Sequence, residues 1–179
     1  MRVEPLDPSR HDRKNFDCGR EKLNDWLEHN AGQAQEKHNS SRTFVLTEDG
    51  MTIVGYYALA GHAVDVQDVS PKLAKGHSRY PIPAALLARL AVALQHQKNH
   101  LGERLLADAV RRIVGVSKDI AVDLIVVDAL DDDAARFYQR YEFERWPSDG
   151  HKLFAKVKDI AATFGLCRFL MFSLRWGCR

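Results

Sequence analysis

Two spacings of apolar residues divide this chain into predicted strands and helices. Short runs of apolar and β-branched residues, such as Leu124-Ile125-Val126-Val127, are typical of strands. Apolar residues repeated every three or four positions, as in Leu101, Leu105 and Leu106, indicate helices with one buried face. The predicted strands are residues 1–6, 42–47, 52–62, 122–129 and 152–157, and the predicted helices are residues 17–34, 101–114, 134–141 and 159–164. Helices placed between strands predict an α/β or α+β domain.

Residues 84–94 fit both classes of element. Their Ala and Leu content favours a helix by intrinsic propensity, whereas their position between Pro83 and a loop that leads into a helix favours a buried central strand. Periodicity does not separate the two possibilities for so short an apolar run. We predict a strand, chiefly from the family resemblance given below. The preceding residues 63–83 hold three of the six prolines and are predicted to be mostly loop.

The composition narrows the class of protein. A chain of 179 residues is long enough for one domain with a substantial core. Its 26 Lys and Arg residues and 24 acidic residues give a net charge of +2, which does not indicate a nucleic-acid binder, although a local basic patch can still serve RNA. The three cysteines are too few and too scattered for a disulfide framework or a zinc site. We expect a soluble, cytoplasmic protein with no signal peptide and no membrane span.

The stretch Gln97-Lys98-Asn99-His100-Leu101-Gly102 lies between the ambiguous segment and the helix that follows it. A loop that leads into a helix N-terminus offers backbone N–H groups to a pyrophosphate. The same stretch imitates a zinc-protease motif, because His96 and His100 are four residues apart. That motif needs a glutamate where Gln97 stands and a third ligand, so no metal site is predicted.

Segments along most of the chain resemble the acetyltransferase toxins of bacterial type II toxin–antitoxin modules, a branch of the GNAT N-acetyltransferases. The matching segments are Phe16-Asp17-Cys18-Gly19, Leu23, Trp26-Leu27, Thr43-Phe44-Val45, Gly55-Tyr56-Tyr57-Ala58-Leu59, Tyr80-Pro81-Ile82-Pro83, Ala88-Arg89-Leu90-Ala91-Val92, Leu105-Leu106-Ala107-Asp108-Ala109, Val127-Asp128-Ala129 and Phe137-Tyr138. They occur in matching order over roughly the first nine-tenths of the chain, which is more specific than any single motif. The resemblance implies a GNAT fold over residues 1–165, with a mixed central sheet flanked by helices. The apolar tail 166–179 lies outside it, and packing on a dimer partner, contact with an antitoxin and disorder stay open for that tail.

The resemblance implies that acetyl-CoA binds at the end of the strand 84–94 and along the loop after it. The implied contacts are Leu90, Ala91, Val92, Gln97, Lys98, Asn99, His100, Leu101, Gly102 and Glu103. In the family this loop reads Gln or Arg, two variable residues, Gly, one variable residue, then Gly or Ala, so His100 stands where the first glycine is usual. Glycine permits positive φ and a close approach to phosphate, whereas histidine tolerates positive φ but adds bulk. We expect weaker acetyl-CoA binding, partly offset by the positive charge of Lys98 and His100.

The resemblance also implies the chemistry. These toxins transfer an acetyl group from acetyl-CoA to the α-amino group of an aminoacyl-tRNA, by direct attack of the amine on the thioester. That amine has a pKa of about 8 and is partly neutral at pH 7, so neither a protein nucleophile nor a strong base is required. Tyr138 matches the family's catalytic tyrosine and is expected to donate a proton to the CoA sulfur. A purely structural role, packed on Phe137, is the alternative.

Four basic residues are candidates for a tRNA-facing surface, namely Arg42, Lys75, His77 and Arg79. Positive side chains bind the phosphate backbone of nucleic acids. A solvated charged face that binds nothing is the alternative for each of them.

The resemblance implies partners as well. A ribbon-helix-helix antitoxin neutralises such toxins, a homodimer is expected, and DNA is bound only through the toxin–antitoxin complex, which represses its own operon. Two other functions stay open. The acceptor amine could belong to a protein or a small polyamine, since acceptor choice depends on residues 63–83 and the first helices. The protein could also be a non-catalytic co-repressor if His100 prevents acetyl-CoA binding.

Overall fold

A computed structural model describes residues 1–69, 73, 80–146 and 149–165. These residues fall into two compact units. Unit 1 consists of Met1–His62 and Ala85–Ala109, and unit 2 of the described parts of Ala63–Ala84 and Val110–Arg179. The tail 166–179 lies outside the described residues, so its role stays open. No helix in the described ranges is long and apolar enough to cross a membrane.

Unit 1 contains the first strands and the N-terminal helical segment. Its strands are β1 (Arg2–Pro5), β2 (Arg42–Thr47), β3 (Ile53–Val64) and β4 (Ile82–Val92), side by side in the order β1-β2-β3-β4. β1 pairs antiparallel with β2, and β2 pairs antiparallel with β3. The helical segment consists of α1 (Glu21–Asp25), a π-helical turn (Trp26–Asn30) and α2 (Ala31–Glu36). After β4 comes α3 (Leu101–Val116), of which the residues up to Ala109 belong to unit 1. Leu27 and Ala31 of this segment are fully buried in one core with Val45, Tyr56 and Ala91 of the sheet.

Unit 2 contains the remaining strands and helices. Its strands are β5 (Leu124–Asp128), β6 (Glu144–Trp146) and β7 (Asp149–Lys156), in the order β5-β7-β6 with antiparallel pairing. Its helices are α4 (Asp132–Gln139) and α5 (Val157–Thr163). All but the last residue of β5 are buried, as a continuous apolar run predicts. The indole nitrogen of Trp146 in β6 donates a hydrogen bond to the carbonyl of Asp68, in the segment between β3 and β4, at 2.7 Å.

The structure confirms the strand predicted over the ambiguous residues 84–94, which is β4 with bounds two residues earlier. Pro83 sits at the second position of that strand, where a missing N–H is tolerated better than in the middle. The helix predicted over residues 17–34 is wrong at its start, because it begins at Glu21. The Asp17 carboxylate accepts the N–H of Gly19 at 2.8 Å, and Gly19 has a φ of 77°, so a side-chain turn replaces the first helical turn.

Strand β6 was not predicted. Its residues Glu144-Arg145-Trp146 form only three positions, two of them charged, which is too short for an alternating pattern to be recognised. Its partner β7 begins three residues before the predicted strand 152–157. The loop predicted for residues 63–83 contains a short 3₁₀ turn, Val66–Asp68, and most of residues 70–79 lie outside the described residues.

Candidate active site

The end of β4 packs closely against β3 and α3, and Gly55 permits this packing. A Cβ atom at Gly55 would lie 2.9 Å from the Ala91 carbonyl oxygen and 2.9 Å from Leu105 Cδ1. Both distances are too short for real contacts, so only glycine allows β3 to approach this closely. Tyr57 on the same strand adds a link to α3, since its hydroxyl donates to the Asp108 carboxylate at 2.6 Å. The end of β4 and the start of α3 are therefore held in a fixed relation.

Beyond Val92 the chain turns out of the sheet, and one side chain holds it there. The Gln97 amide nitrogen donates to the Val92 carbonyl at 3.0 Å and to the Cys18 carbonyl at 3.1 Å. The Leu94 N–H donates to the Asp17 carbonyl at 2.9 Å, which fixes the same turn from its other side. Gln97, predicted as a cofactor contact, thus also has a structural role: it clamps the loop onto the end of β4.

The loop then places two non-glycine residues in the left-handed region, Lys98 with a φ of 64° and His100 with a φ of 57°. His100 therefore adopts a conformation that glycine reaches without strain, at a cost of about 1 kcal/mol or more for a residue with a Cβ. Its imidazole Nδ1 lies 3.0 Å from Glu103 Oε1, and the side chain is 82% exposed. The bulk that histidine adds is directed into solvent and along the first turn of α3.

The first turn of α3 begins immediately after His100. The His100 carbonyl accepts the Arg104 N–H at 3.2 Å, so the hydrogen bonding of the helix begins at His100. The first N–H groups of any α-helix have no acceptor within the helix and attract anions. All the predicted acetyl-CoA contacts lie in unit 1, in three neighbouring parts of the chain. These are the end of β4 (Leu90, Ala91, Val92), the loop (Gln97, Lys98, Asn99, His100) and the first turn of α3 (Leu101, Gly102, Glu103).

Tyr138 lies on α4 in unit 2. The Asp131 carboxylate accepts the Ala134 N–H at 2.9 Å and caps the start of α4, as the sequence predicted. Tyr138 is 6% exposed. Its ring contacts Phe137 with centroids 5.1 Å apart and Phe143 with centroids 5.5 Å apart. These edge and tilted contacts hold the ring in one orientation.

The hydroxyl of Tyr138 has the properties of a proton donor. Burial raises its pKa above the ordinary range for tyrosine, because the phenolate would lose its hydration. The phenol therefore stays protonated at neutral pH. Burial is the one cause of this shift, and no hydrogen bond or charge of a described residue contributes to it.

The basic residues predicted to face tRNA are described only in part. Arg42 is exposed on β2, and its guanidinium donates to the Gln35 carbonyl at 2.8 Å. Lys75, His77 and Arg79 lie outside the described residues. His96 ends a 3₁₀ turn and His100 precedes α3, so the two histidines are not on successive turns of one helix as in the zinc-protease motif. Among the described residues, no three His, Cys, Asp or Glu side chains come together as metal ligands.

Comparison with known proteins identifies the family to which this chain belongs. The sequence model of the acetyltransferase (GNAT) domain matches residues 39–145. A tRNA-acetylating toxin of Mycobacterium tuberculosis is 38% identical over 150 residues, which cover 84% of this chain and 89% of the relative. A probable toxin TacT of Sinorhizobium fredii is 29% identical over 174 residues, which cover 91% of this chain and 94% of the relative. The chain is an acetyl-CoA-dependent N-acetyltransferase, and it belongs to the GNAT acetyltransferase family with these toxins as relatives.

Solved structures of toxins have the same fold. AtaT complexed with acetyl-methionyl-tRNAfMet superposes with a TM-score of 0.81 at 26% identity, covering 91% of this chain and 98% of AtaT. A mutant AtaT bound to acetyl-CoA and the C-terminus of the antitoxin AtaR has a TM-score of 0.76 at 26% identity, covering 91% and 97%. An AtaT–AtaR complex bound to DNA has a TM-score of 0.72 at 27% identity, covering 92% and 99%. The predicted GNAT fold, with a mixed sheet flanked by helices, is confirmed.

Proposed function

We propose that this protein transfers the acetyl group of acetyl-CoA to the α-amino group of an aminoacyl-tRNA, and so blocks translation as the toxin of a toxin–antitoxin pair. The observation that carries this function is the 38% identity to a tRNA-acetylating toxin along 84% of the chain. The structure of AtaT with acetyl-methionyl-tRNA supports the same acceptor class. The Tyr138 hydroxyl, which burial keeps protonated at neutral pH, suits the transfer.

Acetyl-CoA is the acetyl donor, and unit 1 supplies its contacts. The N–H groups at the start of α3, with Lys98 and His100 beside them, bind the diphosphate. The backbone of Leu90, Ala91 and Val92 holds the pantetheine arm and polarises the thioester carbonyl. Because these contacts come mostly from the backbone, they depend on the φ values of the loop more than on its side chains.

The transfer itself needs one proton from the protein. The neutral amine attacks the thioester carbon, the N–C bond forms and the C–S bond breaks. The Tyr138 phenol donates its proton to the departing sulfur, and the proton released by the amine restores the phenol. Tyr138 is protonated at neutral pH, so its proton is available when the thiolate develops beside it. No residue of the protein becomes acetylated.

The partners follow from the relatives. An antitoxin of the ribbon-helix-helix type neutralises the toxin, and the pair binds the DNA of its own operon, as supported by the DNA-bound AtaT–AtaR complex. The protein acts in the cytoplasm, where charged tRNA is found, and forms a homodimer. Arg42, Lys75, His77 and Arg79 contribute positive charge toward the tRNA.

The test is acetyl transfer with the purified protein. Radiolabelled acetyl-CoA is incubated with total aminoacyl-tRNA, with the same tRNA after deacylation, and with free amino acids and polyamines. We expect label only on the aminoacyl-tRNA, where mass spectrometry finds an N-acetylated amino acid. Expression of the toxin alone should arrest growth, and the variant Tyr138→Phe should relieve the arrest.

Two results would contradict this function. Label on a polyamine or a protein, with none on charged tRNA, would assign a different acceptor to the same enzyme. Absence of any transfer by a folded protein that still binds an antitoxin would instead identify a co-repressor without catalytic activity.

A further inference from the structure

One cation on β4 has no part in the mechanism above. Arg89 immediately precedes Leu90, and its guanidinium carbon lies 4.2 Å from the centroid of the Trp26 ring. A guanidinium held over an aromatic face is attracted by the ring, and the N–H groups at its edge stay available as donors. This arrangement prepares Arg89 for an anion that accepts two hydrogen bonds.

Trp26 is itself fixed in place. It begins the π-helical turn Trp26–Asn30, and its ring stacks on Tyr56 with centroids 6.0 Å apart and an interplanar angle of 13°. The Tyr56 side chain is fully buried, and its hydroxyl donates to the Leu23 carbonyl at 2.8 Å. π-helical turns often occur at functional sites. Arg89 therefore rests on a rigid aromatic support.

Among the residues that the structure describes, Arg89 has no acidic counter-ion. In unit 1, Arg2 and Arg10 both form ion pairs with Glu4 at 3.0 Å. Arg89 forms no ion pair or hydrogen bond with any described residue. It is half-buried, and burial lowers its pKa, yet a guanidinium stays charged at neutral pH. The Trp26 ring offsets only part of the cost of half-burying this cation, so a bound anion would stabilise it further.

We propose that Arg89 binds a phosphate near the 3′ end of the aminoacyl-tRNA and so places the aminoacyl group at the end of β4. This assignment rests on the function proposed above. The diphosphate of acetyl-CoA is assigned to the loop after β4. Arg89 lies three residues before Val92, or about 10 Å back along the strand, in the direction away from that loop. The other phosphate of CoA, on the ribose, lies beyond the diphosphate as counted from the thioester, so it is still farther from Arg89 in this arrangement. The acceptor end of the tRNA is then the source of phosphate on the Arg89 side.

The test compares Arg89→Gln with the wild-type enzyme in steady-state kinetics. We expect the KM for aminoacyl-tRNA to rise about tenfold, while kcat and the Kd for acetyl-CoA stay within about twofold. The salt dependence separates a phosphate contact from a change of packing. Loss of one contact to a single strand makes the slope of log KM against log salt shallower by about 0.7.

Two further variants control this result. Arg2→Gln removes an exposed arginine that is already paired with Glu4, and it should leave both the KM and the salt slope unchanged. Arg89→Lys keeps the charge but loses the two-pronged contact, so the KM should rise about threefold with the salt slope retained. Circular dichroism and the acetyl-CoA Kd report whether each variant is folded. If Arg89→Gln does not fold, the KM of Arg89→Lys for aminoacyl-tRNA is the test of the assignment.

An unchanged KM for the folded Arg89 variants would overturn the assignment while leaving the proposed function intact. A rise confined to the acetyl-CoA Kd would also overturn it, because Arg89 would then be a cofactor contact. Failure of the wild-type enzyme to acetylate any aminoacyl-tRNA would contradict the proposed function first, and this assignment with it.

Discussion

Two candidate functional elements, one in each unit, are built in opposite ways. The loop 97–103 in unit 1 is largely exposed, and its proposed role depends on its backbone, with His100 at a positive φ. Tyr138 in unit 2 is buried among aromatic rings, and its proposed role depends on one hydroxyl. The comparison predicts that the loop tolerates changes of side chain as long as its backbone is kept, whereas Tyr138 tolerates none.

Replacing Tyr138 by Phe should have the largest effect. The change removes the proton donor and little else, so we expect turnover to fall by about a hundredfold, within the usual range for general acids, while acetyl-CoA binding is retained. Rates of acetyl transfer and calorimetric binding measure the two properties. The matched variant Tyr141→Phe, on a tyrosine that packs on Phe137 just beyond the same helix, should leave turnover within twofold. Equal loss in both variants would remove Tyr138 as the acid.

A methyl group at Gly55 should destabilise the support beneath the loop. Gly55→Ala forces the Ala91 carbonyl or Leu105 to move, which should lower the free energy of unfolding by about 1–3 kcal/mol in urea denaturation. Gly61→Ala is the matched control, because it lies on the same strand with no atom within 4 Å of the added Cβ. Similar unfolding free energies for the two variants would show that β3 and β4 can separate without cost.

The pH dependence tests the raised pKa of Tyr138. Below the amine pKa of about 8, the rate should rise about tenfold per pH unit, because the neutral amine is the nucleophile. The neutral phenol is the active form of Tyr138, and burial raises its pKa, so activity should be lost only well above pH 10. Initial rates between pH 6 and pH 9.5 show whether activity rises or falls with pH in this range. A descending limb below pH 9 would contradict a buried, protonated acid.

His100→Gly should have the smallest effect, in line with an exposed imidazole. Glycine adopts positive φ without the steric cost and lets a phosphate approach closely, so we expect acetyl-CoA to bind about two- to fivefold more tightly. Calorimetry with the wild type and the variant measures the ratio. Weaker binding by the glycine variant would mean that the imidazole itself contacts the phosphates.

The sequence predicts most of the fold. Tyr138 is predicted as the acid through the resemblance, because the Phe137-Tyr138 pair matches a motif of the family, and its role stays a prediction. Strand β4 could be assigned only through the family resemblance, since its Ala and Leu residues also favour a helix. The need for glycine at position 55 was not predictable, because it depends on which atoms lie across from it on β4 and α3.

The contact between Trp26 and Arg89 was not predictable from the sequence for the same reason. Trp26 and Arg89 are far apart in the chain, and only the packing of the N-terminal helical segment on the sheet brings them within 4.2 Å. The late start of that segment at Glu21 depends on the side-chain turn at Asp17, which competes with a helix that propensity favours. Contacts between distant segments and local side-chain turns are the two features that periodicity does not encode.

The most direct test of the account is a calorimetric titration of acetyl-CoA into the purified wild-type protein. Every proposed step requires this donor to bind a loop in which histidine replaces glycine. The account predicts one saturable site with a micromolar Kd, weakened when the CoA diphosphate is absent from the ligand. A folded protein that gives no binding signal would contradict it, and the chain would then have to act through its partners alone.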